Sequence, residues 1–289
     1  MNPTLLILAA GSGTRYGGLK QLDALGPDGE TILDYSIRDA LKAGFGKVAL
    51  VIREEFQKDF DDKIVTHWRH KIKIQFACQQ VNPVFDGLSV AEREKPWGPI
   101  HAMLCAKSII HEPFAIVNAD DFYGKDAFTQ MEKFLREQCS ARHYAMMGYV
   151  LKNTLSEHGS VSRGICEADE NCFLRDVQEM KEVKKQGSAI VGLFNGEKKT
   201  LQPDALVSMN CWGFHPEFFD EAEKIFKEFA GKNLSNPKAE MVIPDAVNIL
   251  LKSGNARVSV LPCNEKWFGV THREDREHVV AQLKRLSRE

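Results

Sequence analysis

The chain's 289 residues suffice for one large α/β domain or two small ones, and 43% hydrophobic residues supply a sizeable core. A net charge of −2 argues against nucleic acid as the main partner, and no apolar run reaches the roughly 20 residues that span a bilayer, so no membrane is expected. Seven scattered cysteines, never spaced Cys-x-x-Cys, suit reduced core thiols, and with no basic-then-apolar leader the expected compartment is the cytoplasm.

The first predicted element is a buried strand over Thr4–Leu8. A turn follows it, Ala9-Ala10-Gly11-Ser12-Gly13-Thr14-Arg15, with Lys20 close behind. Glycines let backbone N–H groups come near a ligand that a Cβ would block. Two fixed cations beside such a turn suit a polyphosphate. Ile32–Ala43 has apolar residues at helical spacing and is stopped by Gly44 and Gly46. Strands are predicted at 48–52 and Lys73–Cys78, a polar surface loop at 87–96 and a helix at 99–110. A strand at 114–117 runs into Asn118-Ala119-Asp120-Asp121, and a helix is predicted over 127–138. Strands alternating with helices imply right-handed crossovers and a mostly parallel sheet, with ligands at the carboxyl ends of the strands. The glycine turn, Gln79-Gln80 and Asp120-Asp121 all follow strands and should gather on that edge.

The second half reads as more mixed. Extended segments are predicted at 144–150, 164–167, 173–177, 190–194 and Leu206–Phe214, with helices at 216–230 and 241–252. A strand at 257–261 and a helix at 273–286 close the chain. The sequence has no internal repeat, low-complexity tract or linker. The expected organisation is a single domain over 1–289, with a nucleotide-binding half to about 140 and a substrate-facing half from about 141.

Gly11-x-Gly13 could also open a dinucleotide fold, whose fingerprint is Gly-x-Gly-x-x-Gly. Here Tyr16 stands at the third glycine position, and a hydride-transfer site has no need of Arg15 and Lys20 against the phosphates. His67 and His70 lie on a polar stretch and read as a solvated pair. The aromatic residues around 212–219 read as core.

Leu8-Ala9-Ala10-Gly11-Ser12-Gly13-Thr14-Arg15 with Lys20 resembles the opening motif of the sugar-phosphate nucleotidyltransferases, also called nucleoside-diphosphate-sugar pyrophosphorylases. The segment 29–44 is similar to that family's loop and helix after the lysine. Trp97-Gly98-Pro99-Ile100-His101-Ala102 is similar to its Gly-Thr-Ala-His-Ala turn, and 114–121 to its strand ending in a metal-binding Asp. The likeness is closest over residues 4–125. It implies a GT-A-like, Rossmann-related α/β/α sandwich with a mixed, mostly parallel central sheet.

The resemblance also implies roles. Ala10, Gly11, Gly13 and Thr14 would lie along the nucleotide. Arg15 would hold the outer phosphates that leave as pyrophosphate, and Lys20 would neutralise charge at the α-phosphate. Gln79, with Gln80 as second choice, would read the base edge, and Gly98 would close on it. A Gln amide offers a donor and an acceptor, which suits UTP or dTTP. Asp120 would ligate Mg²⁺, with Asp121 as the alternative reading beside a helix cap. Arg15, Lys20 and Asp120 would form the catalytic set. In the second half, His158-Gly159, Glu179, Lys181 and Asn210 are similar to residues that meet the sugar and its phosphate, with one residue inserted between Glu179 and Lys181.

The chain departs from that pattern in three places. No Pro precedes Lys20, Pro99 and Ile100 replace small residues, and Gly269 in Trp267-Phe268-Gly269-Val270-Thr271 stands where many members carry the Asp that is the second metal ligand. The expected reaction joins a nucleoside triphosphate to a sugar 1-phosphate. The phosphate dianion, with a second pKa of about 6, is its own nucleophile, so alignment and charge neutralisation suffice. Two alternatives stay open: a cytidylyltransferase of a non-sugar alcohol phosphate, and a non-catalytic nucleotide-sugar-binding regulator. A homo-oligomer is compatible with all three.

Overall fold

A computed structural model of the chain describes residues 1–11, 19–82, 92–93, 95–156, 159–270 and 274–286, and the structural statements below refer to these. In chain order, β1 (Thr4–Leu8) leads to a 3₁₀ turn at Lys20–Leu22, α1 (Ile32–Ala43) and β2 (Lys47–Ile52). Short helical turns over 54–68 include α2 (Gln57–Phe60) and α3 (Thr66–Trp68), followed by β3 (Lys73–Cys78) and α4 (Pro99–Cys105). Next come β4 (Phe114–Asn118), β5 (Asp121–Phe122), α5 (Lys125–Glu137) and β6 (His143–Val150). An antiparallel series follows: β7 (Val161–Ala168), β8 (Leu174–Gln186), β9 (Ala189–Phe194), β10 (Glu197–Leu201) and β11 (Leu206–Phe214). The chain closes through α6 (Phe218–Lys232), α7 (Ile243–Lys252), β12 (Arg257–Cys263), β13 (Phe268–Gly269) and α8 (Asp275–Leu286).

The central sheet runs β3-β2-β1-β4-β11-β6-β12. The four strands β3 to β4 are parallel to one another, β11 is antiparallel to β4 and β6, and β12 is parallel to β6. Thus β11 alone of these seven strands runs against the rest, as the mixed, mostly parallel expectation requires. Strands β7 to β10 extend the sheet from the outer half of β11.

Both faces of the sheet are covered, so its inner strands β1, β2 and β4 are largely apolar and alternate between two cores. Leu5, Ile7, Val48, Leu50, Ala115 and Val117 pack on one face with α1 and α5, through Leu33, Ile37, Phe128 and Met131. Leu6, Ala49, Val51, Phe114 and Ile116 pack on the other with α4, α6 and α7, through Ile100, Met103, Phe219, Phe226 and Val247. This is the expected α/β/α sandwich. A third, smaller cluster joins Ile32, Tyr35, Phe122, Phe268, Val270 and Val279. Phe122 and Phe268 stack at 4.5 Å, which ties the short β5–β13 ladder to α1 and α8.

Several boundaries differ from the sequence reading. The helix expected over 99–110 ends at Cys105, and tight turns carry the chain on to Ile109. Pro244 in the first turn of α7 sets its start at Ile243. Strand β8 is much longer than 173–177 and bulges near Glu182, whose φ is +51°. In the expected surface loop at 87–96, Arg93 is buried instead. Its guanidinium lies 3.7 Å over the Trp97 ring and donates to the carbonyls of Lys95, Asn236 and Ala239. The seven cysteines are free thiols, and among the described residues no helix is long and apolar enough to cross a membrane.

Candidate active site

Four parallel strands deliver their carboxyl ends to one edge. Ala9 N–H donates to Val51 C=O (2.8 Å), Gln79 N–H to Ile52 C=O (2.8 Å) and Ala119 N–H to Leu8 C=O (3.1 Å). These bonds continue the ladder one step past each strand and set Asp120, Ala10 and, beyond β2, Gln79 along the same edge. Gly11 is exposed, and its carbonyl accepts from Gln21 Nε2 (2.9 Å). The Ala10 carbonyl accepts from Arg53 Nε (3.2 Å). The turn's remaining expected residues, Gly13, Thr14 and Arg15, lie outside the described residues.

Across this edge Lys20 Nζ pairs with Asp120 Oδ2 and donates to the Val270 carbonyl (3.2 Å). The two side chains are 17% and 24% exposed, so the pair is open to solvent at the cleft yet mostly desolvated. Asp121, the next residue, is buried. Its Oδ2 accepts from Asn118 Nδ2 (2.9 Å) and lies 3.3 Å from Tyr123 Oη. Burial, and then the Asp120 charge, push its carboxyl up to about 7, against the pull of Asn118, Lys20 and Arg163. Arg163 sits behind, also buried. It lies 4.6 Å over the Trp267 ring and donates through Nε to Thr154 Oγ1 (3.1 Å). Burial pulls its guanidinium down to about 10, and Asp121 opposes that shift.

A second group lies at the end of β3. Gln79 is buried. Its Nε2 donates to the Gly98 carbonyl (3.3 Å) and lies 3.1 Å from His101 Nδ1. The His101 ring stacks on Phe226 at 5.5 Å, and burial, with Arg93 adding, holds its pKa down at about 4. Gly98 adopts φ +94°, and a Cβ there would lie 2.8 Å from the Met241 carbonyl, so glycine is required on both counts. Gln80 is exposed beside Gln79.

The residues expected to face the sugar are dispersed over three places. Asn210 sits at φ +59° where β11 leaves its pairing with β7 and takes up β4, a bulge next to Met209, whose carbonyl accepts from Tyr123 Oη (2.9 Å). Glu179 and Lys181 are exposed on β8, on either side of Met180, just before the bulge near Glu182. Gly159 is exposed with open space where a Cβ would be, and its neighbour His158 lies outside the described residues. Sequence reasoning passed over His101 and Arg163. His101 stood within a quoted motif, and its signal was its place one helical turn beyond Gly98; nothing local in sequence marks Arg163.

The donor set suits a divalent cation. Magnesium takes one or two carboxylates and fills its shell with water and phosphate oxygens. Asp120 presents a partly open carboxylate, and a Cβ at 269 would fill the space against Asp121 Oδ1, 2.3 Å away, which glycine leaves clear.

The Lys20–Asp120 pair and the buried Asp121 carboxylate thus stand at the carboxyl edge of the parallel strands. The profile of the Nucleotidyl transferase family matches residues 4–275, and the chain belongs to that family. Three solved structures share its fold at low identity. A UDP-glucose pyrophosphorylase complexed with UDP-glucose is 18% identical, with TM-score 0.63, covering 99% of this chain and 100% of that one. A protein described as a glucose-1-phosphate thymidylyltransferase from Bacillus anthracis, in complex with sucrose, is 12% identical, with TM-score 0.64 and coverage of 97% and 95%. The inositol-1-phosphate CTP transferase from T. maritima is 12% identical, with TM-score 0.65 and coverage of 98% and 96%. No curated protein matches the chain in sequence.

Proposed function

We propose that the protein joins a nucleoside triphosphate to a sugar 1-phosphate, releasing pyrophosphate and a nucleotide sugar. The observation that carries this reading is the meeting of Lys20 with Asp120 at the carboxyl edge, beside the Gly11 turn. Chain 1–289 acts as one nucleotidyltransferase domain, supported by the sheet that runs through both halves.

The sugar phosphate's own dianion attacks the α-phosphorus, so the chain needs no general base. Its task is to align the two phosphates and spread the charge that builds on the α-phosphate oxygens. Lys20 exchanges its carboxylate partner for an α-phosphate oxygen as the triphosphate arrives. Arg15 grips the phosphates that leave. Asp120 would hold Mg²⁺, which when bound would offset the charge of the triphosphate. Ala10, Gly11, Gly13 and Thr14 line the nucleotide, Gln79 reads the base with Gln80 beside it, and Gly98 closes over it. Gly159, Glu179, Lys181 and Asn210 meet the sugar phosphate. UTP or dTTP is the favoured nucleotide, since a Gln carbonyl can accept from the imide N–H of uracil or thymine.

A cytidylyltransferase of a non-sugar alcohol phosphate is the second reading, favoured by the shared fold of the inositol-1-phosphate CTP transferase. Pyrophosphate release with Mg²⁺, measured for each common nucleoside triphosphate against panels of sugar 1-phosphates and alcohol phosphates, separates the two. Release with a sugar 1-phosphate and UTP or dTTP is expected. Release only with CTP and an alcohol phosphate establishes the second reading, and silence across the panel contradicts both.

A further inference from the structure

We propose that Asp121 is the second carboxylate of the cation site, supplied from β5 across the ladder from Gly269. The proposal rests on the nucleotidyltransferase reading only in that a divalent cation enters this cleft.

Gly269 faces Asp121 directly in the β5–β13 register, and Val270 N–H closes the same ladder onto the Asp120 carbonyl (3.1 Å). Its φ is not in the left-handed region, so backbone conformation does not demand glycine there. Space does. A Cβ at 269 would stand 2.3 Å from Asp121 Oδ1 and 3.0 Å from the Asp120 carbonyl. A side chain at 269 and the Asp121 carboxylate therefore exclude each other. The carboxylate that the family resemblance implies at position 269 has its counterpart here in Asp121 on β5, and Gly269 leaves room for it.

The Asp121 carboxylate is held as a ligand would be. Among the described residues both hydrogen-bond contacts fall on Oδ2, from Asn118 Nδ2 (2.9 Å) and Tyr123 Oη (3.3 Å), while Oδ1 is turned toward Gly269. Metal-binding carboxylates are typically fixed in this way by outer donors. The Tyr123 proton has a shorter acceptor in the Met209 carbonyl (2.9 Å), so Asn118 is the principal donor. The charges facing Asp121 are Asp120, Lys20 and Arg163. Lys20 pairs with Asp120, and Arg163 stands behind Asp121, held by Thr154 and the Trp267 ring. Once Lys20 turns from Asp120 to a ligand phosphate, the two adjacent carboxylates retain one cation between them, and a cation in the cleft offsets the other charge.

The test is Mn²⁺ binding to the full chain without nucleotide, followed by electron paramagnetic resonance, with circular dichroism to confirm folding. The expected result is that Asp120→Asn and Asp121→Asn each weaken binding by about tenfold or more. The exchange variant Asp121→Ala/Gly269→Asp should bind Mn²⁺ within about threefold of the parent chain, because it returns a carboxylate to the cleft from β13. Parent-like binding by a folded Asp121→Asn overturns the proposal. If only Asp120→Asn loses Mn²⁺, this proposal fails and the nucleotidyltransferase reading stands. If both variants lose Mn²⁺ but the parent releases no pyrophosphate from any substrate pair, that reading fails and the two-carboxylate site stands. Should Asp121→Asn not fold, Asp121→Ser decides in its place: Mn²⁺ binding weakened by about tenfold or more supports the proposal, and parent-like binding overturns it.

Discussion

Gln79 can offer a ligand only one end of its amide. The Gly98 carbonyl accepts and never donates, so the group 3.3 Å from it is the NH₂, and that same NH₂ lies 3.1 Å from His101 Nδ1. With its pKa held at about 4, His101 is neutral at physiological pH, so Nδ1 accepts and the ring proton sits on Nε2. Both Gln79 N–H groups are then spent inward, and Oε1 is the atom left to read a base. His101→Leu should free the amide to rotate. The ratio of kcat/KM between UTP and CTP should then move toward unity by about tenfold or more, roughly the worth of one oriented hydrogen bond. An unchanged ratio would remove His101 from base selection. At Lys20 the stake is the rate itself. Lys20→Ala should lower turnover by roughly 10²–10³-fold, the usual loss for one charge-stabilising donor, with the fold retained by circular dichroism. A near-normal rate would take Lys20 out of the chemistry.

Elements stand or fall on a few local fittings. α1 begins with a capping box, in which Asp34 N–H donates to Thr31 Oγ1 (3.1 Å) and Thr31 N–H to Asp34 Oδ2 (2.8 Å), and it ends at Gly44 with φ +113°. α4 begins at Pro99, after the strained Gly98. Gly98→Ala would force a Cβ to within 2.8 Å of the Met241 carbonyl at φ +94°. We expect a loss of about 1–3 kcal/mol, read as a lower Tm, together with weaker nucleotide binding because Gln79 loses its anchor. A Tm equal to that of the parent would contradict this. The same fittings explain what the sequence disclosed. β1, β2 and α1 were legible because apolar runs and stop signals agree there. β10 was not, since four of its five residues, Glu197-Lys198-Lys199-Thr200, are polar and exposed and its place is set by pairing with β9. β5 and β13 are two residues each and depend on the Phe122–Phe268 stack, a contact between segments far apart in sequence.

For the whole molecule, alternating strands and helices foretold a mostly parallel sheet and the edge where ligands gather, and the family resemblance implied the sandwich. The sequence could not show that Gly269 lies against Asp121 or that Arg163 backs the cleft, since those contacts depend on ladder register and on a bulge. Global stability carries a mark of the same packing. His101 falls from an ordinary 6.5 to about 4 in the fold, so between these values the unfolded chain binds a proton that the native chain refuses. Its contribution is therefore full above pH 6.5 and is lost as pH falls toward 4. Denaturant titrations at several pH values should show stability dropping over that window more steeply for the parent than for His101→Leu. Parallel curves would mean that the imidazole is free to protonate in the native state.

The central claim is that this cleft transfers a nucleotidyl group with release of pyrophosphate. ³¹P NMR of the protein with Mg²⁺, UTP or dTTP and a sugar 1-phosphate follows every phosphorus at once. The account predicts a growing pyrophosphate resonance matched by the paired signals of a diphosphate diester, both slowed by roughly 10²–10³-fold with Lys20→Ala. Orthophosphate as the sole product, or an unchanged spectrum with every triphosphate and sugar phosphate tried, would contradict it.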